Sequence, residues 1–269
     1  MKLGIIGAGN MGTAILRGYV AAGAAPEEIC VLGHHPEKLA ALQQELGIGI
    51  AGDIKELMAF SDAVMAAVKP KDLAGVLKEA APLLRGEQLV ISIAAGKSMA
   101  AISEMLADSP VPEAERKIIR VMPNTPALVG EAMSGLCRSR AVTNEEFAPV
   151  MKLFGSIGQA DEVAESLMDA VGAVSGCSPA YVYMFIEAMA DGGVRAGMPR
   201  AQAYRFAAQS VLGAAKMVLE TGEHPGALKD AVCSPAGTTI EAVGVLEQRG
   251  FRSAVMDAVD AAVKKSQNM

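Results

Sequence analysis

Three glycines near the N-terminus are the first residues whose spacing points to chemistry. Gly7, Gly9 and Gly12 form a G-x-G-x-x-G pattern that follows an apolar run and opens a helical one. Glycine at these positions permits a tight turn, a close approach of the backbone to a pyrophosphate, and tight packing of a helix on a strand. The N–H groups of Asn10 and Met11 would then lie at a helix N-terminus, which attracts an anion. The segment therefore predicts a dinucleotide-binding loop.

The residues after the second apolar run indicate which dinucleotide is used. An NAD(H) site usually has Asp or Glu there to hold the ribose 2′-hydroxyl, whereas this chain has Gly33 followed by His34, His35 and Lys38. No carboxylate repels a 2′-phosphate, and several donors are available to bind one. We expect NADPH as the cofactor, with NADH also possible. The simpler alternative is that the two histidines only form an exposed turn before Pro36.

Further strand ends are expected at the same site, because ligands of such sheets bind outside the carboxyl ends of the strands. The fourth strand ends in Ala67–Pro70, and the fifth is followed by Ala94–Gly96, whose small side chains would let a nicotinamide ring lie flat. Asn124, between Pro123 and Pro126 after the sixth strand, offers a donor and an acceptor near the nicotinamide. Without the glycine loop, the first two stretches would be ordinary strand–helix turns. The alternative for the third is a stiff turn that joins domains, which explains the prolines better than it explains Asn124.

A second candidate site is the turn that leads into the helical pattern at Ile240. Gly237, Thr238 and Thr239 combine a small turn with two hydroxyls at a helix start, which is the chemistry of a carboxylate receptor. The alternative is an ordinary threonine N-cap. Outside the cofactor region the one histidine is His224, so the chain lacks an obvious His–Asp relay. Reduction of an imine needs less, because a protonated C=N already accepts hydride.

Strands and helices that must position these residues alternate in the first half of the chain, which predicts βαβ units and a parallel sheet. The predicted strands are Lys2–Ile6, Ile29–Leu32, Ile48–Ala51, Ala63–Val68, Leu89–Ile93, Ile118–Met122, Met133–Cys137 and Gln159–Val163. The predicted helices are Met11–Ala22, Pro36–Leu46, Lys71–Leu84, Met99–Leu106 and Asn144–Phe154.

Strand signals cease after about residue 164. The remaining predicted helices are Pro179–Gly197, Pro199–Gly222, Gly226–Val232, Ile240–Glu247 and Phe251–Lys265. The first of these is apolar over most of its surface, and a small helical domain cannot bury such a helix alone. We therefore expect a second copy of the chain to cover it; the alternative is a central helix in a monomeric bundle.

Composition excludes several classes of function. The 269 residues are 51% apolar, with 24 Lys plus Arg against 30 Asp plus Glu and a formal net charge of −6. Such a chain has no basic field to recruit nucleic acid or an acidic membrane, and no window is long and apolar enough for a membrane span. The four cysteines and three histidines lack metal-ligand spacing. We expect no metal and, because the thiols are scattered, a reducing cytoplasmic location.

Several segments resemble the pyrroline-5-carboxylate reductases. They are GIIGAGNMG, AVKP, MPNTPALVGEAM, SGCSPAYVYMFIEAMADGGV, GMPRAQAY and HPGALKDAVCSPAGTTIEAV, and the resemblance runs from Met1 to about Lys265. It implies reduction of 1-pyrroline-5-carboxylate to L-proline by NAD(P)H, the last step of proline biosynthesis. It also implies an α/β fold with an N-terminal Rossmann-type dinucleotide-binding domain, here 1–162, and an all-α dimerisation and substrate domain, here 163–269. Dimers of this family often assemble into a decamer.

The resemblance also implies roles for single residues. Glu165, Thr238 and Thr239 match positions that line the substrate site, and Thr239 matches the hydroxyl that bonds the ring nitrogen. Ala236 departs from a frequent Gly-Gly turn, and Ala231 from an Asn that contacts ligand in some members. The matched cofactor positions are Ile6, Gly7, Ala8, Gly9, Asn10, Met11, Ala67, Val68, Lys69, Pro70, Ala94, Ala95 and Gly96.

Two other functions compete with this interpretation. A 3-hydroxyacid dehydrogenase of the same two-domain plan places a catalytic Lys on the first long helix of its second domain, and Pro179–Gly197 contains none. A non-catalytic cofactor sensor would not need the second anion pocket around Thr238 and Thr239.

Overall fold

The computed structural model describes residues 1–268 and contains one eight-stranded sheet. The strands are β1 (Leu3–Ile6), β2 (Ile29–Leu32), β3 (Gly49–Ile50), β4 (Ala63–Ala66), β5 (Leu89–Ser92), β6 (Lys117–Met122), β7 (Ala132–Arg138) and β8 (Gly158–Glu162). Their order is β3-β2-β1-β4-β5-β6-β7-β8, and every neighbouring pair is parallel except β6 with β7. The order reverses between β1 and β4, which is where such sheets bind their ligands.

The first seven α-helices lie in the same unit as this sheet; the first six lie in the connections between its strands, and the seventh follows β8. They are α1 (Asn10–Ala21), α2 (Pro36–Leu46), α3 (Ile54–Phe60), α4 (Leu73–Ala80), α5 (Met99–Met105), α6 (Asn144–Gly155) and α7 (Met168–Val171). Successive strand residues point to opposite faces. Leu3 and Ile5 pack with α1, α2 and α6 on one face, whereas Ile6 packs with α3, α4 and α5 on the other. Both faces are covered, as the long apolar strands require.

The remaining five helices follow with short connections. They are α8 (Ser178–Arg195), α9 (Arg200–Thr221), α10 (Pro225–Ala231), α11 (Thr238–Gln248) and α12 (Phe251–Gln267). The α/β fold followed by an all-α region, predicted from the sequence, is confirmed. Each predicted strand and helix is present, with ends shifted by a few residues.

The differences from the predicted elements have local causes. The strand predicted over Ile48–Ala51 is reduced to the two residues of β3, and the helix predicted over Lys71–Leu84 becomes α4 plus a 3-10 turn that contains Pro82. Helix α3 was not predicted, because seven residues are too few for a clear period. Its start is capped by Asp53, which accepts the Glu56 N–H, and its end is held by Arg85.

By internal contacts the chain divides into two compact units. One comprises Met1–Cys177 together with the chain from Ala262 onward, and the other comprises Ser178–Ala261. The predicted boundary at 162/163 coincides with the end of β8, but the segment from Glu165 to Cys177 groups with the sheet unit. One of the contacts that hold this segment to the sheet unit is a hydrogen bond from the Asn124 side chain, just after β6, to the Ser175 carbonyl oxygen.

Candidate active site

The glycine loop lies between the carboxyl ends of β1 and β4. Gly7 has a positive φ of 108°, and a Cβ built there would lie 2.6 Å from the Ala67 carbonyl oxygen. Gly12 is equally restricted, since a Cβ would lie 2.5 Å from the Gly7 carbonyl oxygen. A Cβ on Gly9 would meet no atom within 4 Å. The first and third glycines therefore close the turn and seat the helix, and the second leaves the backbone open to a ligand.

Helix α1 begins directly at this loop. Gly9 is its N-cap, no side chain caps the helix, and its first turn contains no acidic residue. The first N–H groups of a helix lack partners within the helix, so here they face the opening with their partial positive charge. This is the arrangement in which a helix N-terminus holds a phosphate group.

A cleft of about 1010 Å³ opens at these strand ends, entirely within the sheet unit. Its walls include most of the predicted cofactor residues, namely Ile6, Gly7, Ala8, Gly9, Asn10, Met11, His34, His35, Lys38, Ala67, Val68, Lys69 and Ala95. The observed fold therefore brings the ends of β1, β2, β4 and β5 together around one space. In the sheet, the glycine loop after β1 lies between the lining residues at the end of β2 and those at the end of β5, which is the arrangement in which such sheets bind an extended dinucleotide.

Hydrogen-bond donors predominate around the cleft at the end of β2. His34, His35 and Lys38 are exposed there, and the one carboxylate of this segment, Glu37, does not line the cleft. Lys71 also lines the cleft and was not predicted; its place directly after Pro70 was the available signal. Asp53, Asp72 and Glu79 line the cleft too, and the Asp53 carboxylate caps α3.

Four predicted cofactor residues lie outside the lining of this cleft: Pro70, Ala94, Gly96 and Asn124. Ala94 is 3% exposed, and Asn124 is 8% exposed. The Asn124 amide is already occupied, because it donates to the Ser175 carbonyl oxygen at 3.0 Å and accepts the Met133 N–H at 3.0 Å. Asn124 thus joins three chain segments, and its contact with a cofactor stays a prediction.

Glu165 has protein partners that the sequence did not reveal. Its carboxylate accepts the Met99 N–H at 2.6 Å, at the start of α5, and lies 3.7 Å from the buried Arg120 guanidinium. Arg120 also lies 4.0 Å from Asp169, which accepts the Ser266 hydroxyl at 2.7 Å. In this structure Glu165 therefore holds a helix start, and its substrate contact stays a prediction.

The Cys137 thiol lies next to this group of charges. Burial raises its pKa to about 11, and the neighbouring Glu165 carboxylate adds to the rise while Arg120 opposes it. Such a thiol is protonated at neutral pH and unreactive. Cys137 is therefore a packing residue.

The turn before α11 belongs to the second unit and has an unusual backbone. Ala236 has a φ of 55°, the one positive value at a non-glycine position among the residues described. A Cβ on Gly237 would lie 2.4 Å from the Ser234 Oγ and 3.0 Å from the Ser234 carbonyl oxygen, so a larger residue here would need at least the Ser234 side chain to move. Gly237 is the N-cap of α11 without a side-chain cap, and Thr238 and Thr239 are exposed. The threonine hydroxyls are thus not used as the helix cap.

Residues 1–268 contain neither a cluster of metal ligands nor a helix suited to spanning a membrane. No group of three His, Cys, Asp or Glu side chains is arranged to hold a metal ion. None of the helices over these residues has the length and apolar character needed to cross a membrane.

Comparisons with known proteins agree with this geometry. Residues 165–269 match the family model "Pyrroline-5-carboxylate reductase dimerisation", and residues 2–96 match "NADP oxidoreductase coenzyme F420-dependent". The pyrroline-5-carboxylate reductase of Escherichia coli K12 is 51% identical over 269 residues, covering 100% of this chain and 98% of the relative. That of Methanosarcina acetivorans is 44% identical and covers 100% and 97%.

Solved structures give the same result. The pyrroline-5-carboxylate reductase of Coxiella burnetii superposes with a TM-score of 0.92 at 31% identity, over 99% of this chain and 97% of that one. The Plasmodium falciparum pyrroline carboxylate reductase, solved with NADP bound, gives a TM-score of 0.86 at 34% identity, over 100% and 97%.

Proposed function

This chain belongs to the pyrroline-5-carboxylate reductase family, and we propose that it prefers NADPH and acts in the cytoplasm as a homo-oligomer. Enzymes of this family reduce 1-pyrroline-5-carboxylate to L-proline with NAD(P)H. The observation that carries the activity is the similarity to such reductases over the whole chain, at 51% identity. The direct test is oxidation of NADPH by the purified protein with pyrroline-5-carboxylate. Pyrroline-2-carboxylate and open-chain 3-hydroxyacids, supplied in parallel, test the competing activities.

The residues of the cleft fit a nicotinamide dinucleotide. The open backbone at Gly9 and the uncapped start of α1 suit the pyrophosphate, and Ala95 leaves room on the β5 side. When bound, the dinucleotide supplies the hydride that reduces the imine carbon. The chain itself supplies binding, orientation and a hydrogen bond to the reacting ring.

Preference for NADPH rests on the end of β2. A 2′-phosphate placed there meets three exposed side chains able to donate hydrogen bonds, His34, His35 and Lys38, and no carboxylate on that strand end. Gly33→Asp tests this directly, because it restores the carboxylate typical of NAD(H) sites. A Cβ at Gly33 would lie 3.4 Å from the nearest Leu39 methyl, an ordinary contact, so the side chain is tolerated.

We expect Gly33→Asp to raise the KM for NADPH roughly ten- to a hundredfold through like-charge repulsion, and the KM for NADH much less. Gly33→Ala, which adds the Cβ without the charge, is the matched control and should leave both constants near their original values. If Gly33→Asp changes both KM values equally, the 2′-phosphate does not lie at this position.

The substrate is held, in this proposal, at the turn before α11. Backbone N–H groups around Gly237 and Thr238 bind the ring carboxylate, and the Thr239 hydroxyl bonds the ring nitrogen. The exposed hydroxyls, the uncapped helix start and the strained Ala236 support this assignment. Proton delivery to nitrogen needs no strong acid, since the free imine is partly protonated near neutral pH. Thr239 then acts mainly by positioning.

The second unit supports the proposal that several copies of this chain assemble. Its large exposed apolar side chains, with the family description of residues 165–269 as a dimerisation region, support a dimer of this chain. A decamer of five such dimers is the assembly that we propose from the resemblance. The four free thiols support a reducing compartment.

A further inference from the structure

A second cavity, of about 550 Å³ and widely open to solvent, lies in the sheet unit and shares no lining residue with the cofactor cleft. It is bounded by α5, the segment before β6 and the end of β7. Its lining includes Met99, Ser103, Glu113, Arg116, Ile118 and Arg140. None of these residues has a part in the proposed reaction.

Arg116 is the unusual member of this lining. It is only 9% exposed, yet among the residues described no carboxylate oxygen lies within 4.0 Å of its guanidinium nitrogens. Arginine is rarely buried without a charged partner, because an unpaired charge loses its hydration. Its Nε donates to the Val111 carbonyl oxygen at 3.1 Å. Its Nη1 donates to the Ser103 carbonyl oxygen at 2.8 Å and to the Ser103 hydroxyl oxygen at 3.2 Å. These bonds fix the guanidinium and leave Nη2 for another acceptor.

The other lining residues indicate which kind of ligand would carry that acceptor. Arg140 is exposed on the same cavity and supplies a second guanidinium, so the cavity suits a carboxylate. Glu113 is the one acidic side chain in the lining and would pair with an ammonium group. Met99 and Ile118 add apolar wall. Two guanidiniums, one carboxylate and an apolar wall are together complementary to a zwitterion with an apolar side chain.

We propose that this cavity is a binding site for a free α-amino acid with a small apolar side chain, separate from the catalytic site. The amino acid's carboxylate binds Arg116 and Arg140, its ammonium binds Glu113, and its side chain packs on Met99 and Ile118. The proposal does not depend on which reaction the cofactor cleft supports.

Methionine methyl groups report on each cavity separately, because Met99 lines this one whereas Met11 and Met122 line the cofactor cleft. We would label the full-length protein with ¹³C-methyl methionine, assign these signals with Leu variants, and titrate L-valine. The expected result is a saturable shift of the Met99 signal while the Met11 and Met122 signals stay in place.

Variants and truncated ligands test the assigned contacts. Arg140→Met and Glu113→Gln change exposed side chains and should each weaken L-valine binding roughly tenfold, since each removes a charged contact. Lys152→Met, an exposed cation on α6 outside this cavity, should leave the affinity unchanged. Isobutylamine and isovalerate, which lack the carboxylate and the ammonium respectively, should bind more weakly than L-valine.

Three results would overturn the proposal. One is a Met99 signal that L-valine does not move, which would leave Arg116 as a cap for the end of α5 only. Another is a shift confined to Met11 and Met122, or abolished by Thr239→Ala, since the amino acid would then occupy the cofactor cleft or the substrate site. The third is inorganic phosphate binding as tightly as L-valine with Glu113→Gln without effect, which would indicate a site for simple anions.

Discussion

At the scale of single residues, removal of the Thr239 hydroxyl distinguishes a catalytic role of this group from a structural one. Gly237 caps α11 without any side chain, so removal of the Thr239 hydroxyl should cost little helix stability. If the hydroxyl orients the imine nitrogen, Thr239→Ala should lower kcat about ten- to a hundredfold, the value of one hydrogen bond to a charged group. The KM for NADPH should change much less. Steady-state kinetics with both substrates varied measures the two effects.

Thr239→Ser is the matched control, because it keeps the hydroxyl and loses only the methyl group. It should retain much of the original rate, and both variants should melt near the temperature of the unmodified protein. Full turnover by Thr239→Ala would show that the hydroxyl does not act on the substrate. The proton would then come from water or from the iminium itself.

Sequence predicts residues well where function depends on short spacing. The glycines at 7, 9 and 12 and the histidines at 34 and 35 were predicted from short spacing, and the structure places all five at or directly after the carboxyl ends of β1 and β2; their contacts with a cofactor stay a prediction. Asn124 and Glu165 are different. Their hydrogen-bond partners Ser175 and Met99 lie 51 and 66 residues away in sequence. Only the folded chain shows that these polar groups already have partners.

At the scale of elements, the start of α5 depends on a residue from a distant segment. Glu165 binds the Met99 N–H and is the nearer of the two carboxylates beside buried Arg120. Glu165→Gln keeps an oxygen for Met99 but removes the negative charge. We expect the free energy of unfolding to fall by about 1–3 kcal/mol, because the Arg120 charge stays buried after it has lost the nearer of its two carboxylates. Chemical denaturation measures this loss.

Glu162→Gln provides the comparison for this prediction. Glu162 pairs with Arg138 at 2.8 Å, but its side chain is 46% exposed, and exposed ion pairs contribute about 0–1 kcal/mol. Glu162→Gln should therefore lower the free energy of unfolding only slightly. An unchanged stability of Glu165→Gln, together with a raised KM for pyrroline-5-carboxylate, would instead assign Glu165 to the substrate, as the family resemblance implies.

Helices and strands could be predicted from the sequence where the apolar pattern was long or where clear start and stop residues bounded it. Helix α2 is found over Pro36–Leu46 as predicted, because Pro begins it and Gly47 ends it in the left-handed region. The antiparallel pairing of β6 with β7 was not predicted, although the nine residues between them contain no predicted helix and a parallel crossover needs about a dozen residues or more. The seven residues of α3 were missed for lack of length.

At the scale of the whole molecule, the second unit has too little core of its own. Within residues 178–261 the buried apolar side chains are Ala190, Ala203 and Ala207, whereas Tyr183 is 60% and Met184 68% exposed. Small domains need most of their apolar surface buried to be stable, and exposed apolar patches of this kind mark interfaces. This agrees with the dimerisation region that the family model describes.

We therefore expect the protein at micromolar concentration to have a mass of at least two 27.7 kDa chains by size-exclusion chromatography with light scattering. Met184→Lys, which places a charge on the exposed apolar face of α8, should shift the mass toward one chain and lower both activity and melting temperature. Gln209→Lys, which adds the same charge at an exposed polar position of α9, should change the mass less. A fully active protein with the mass of a single chain would refute the oligomer. If the oligomer holds and Met184→Lys loses activity in proportion to dissociation, each catalytic site depends on the presence of a second copy.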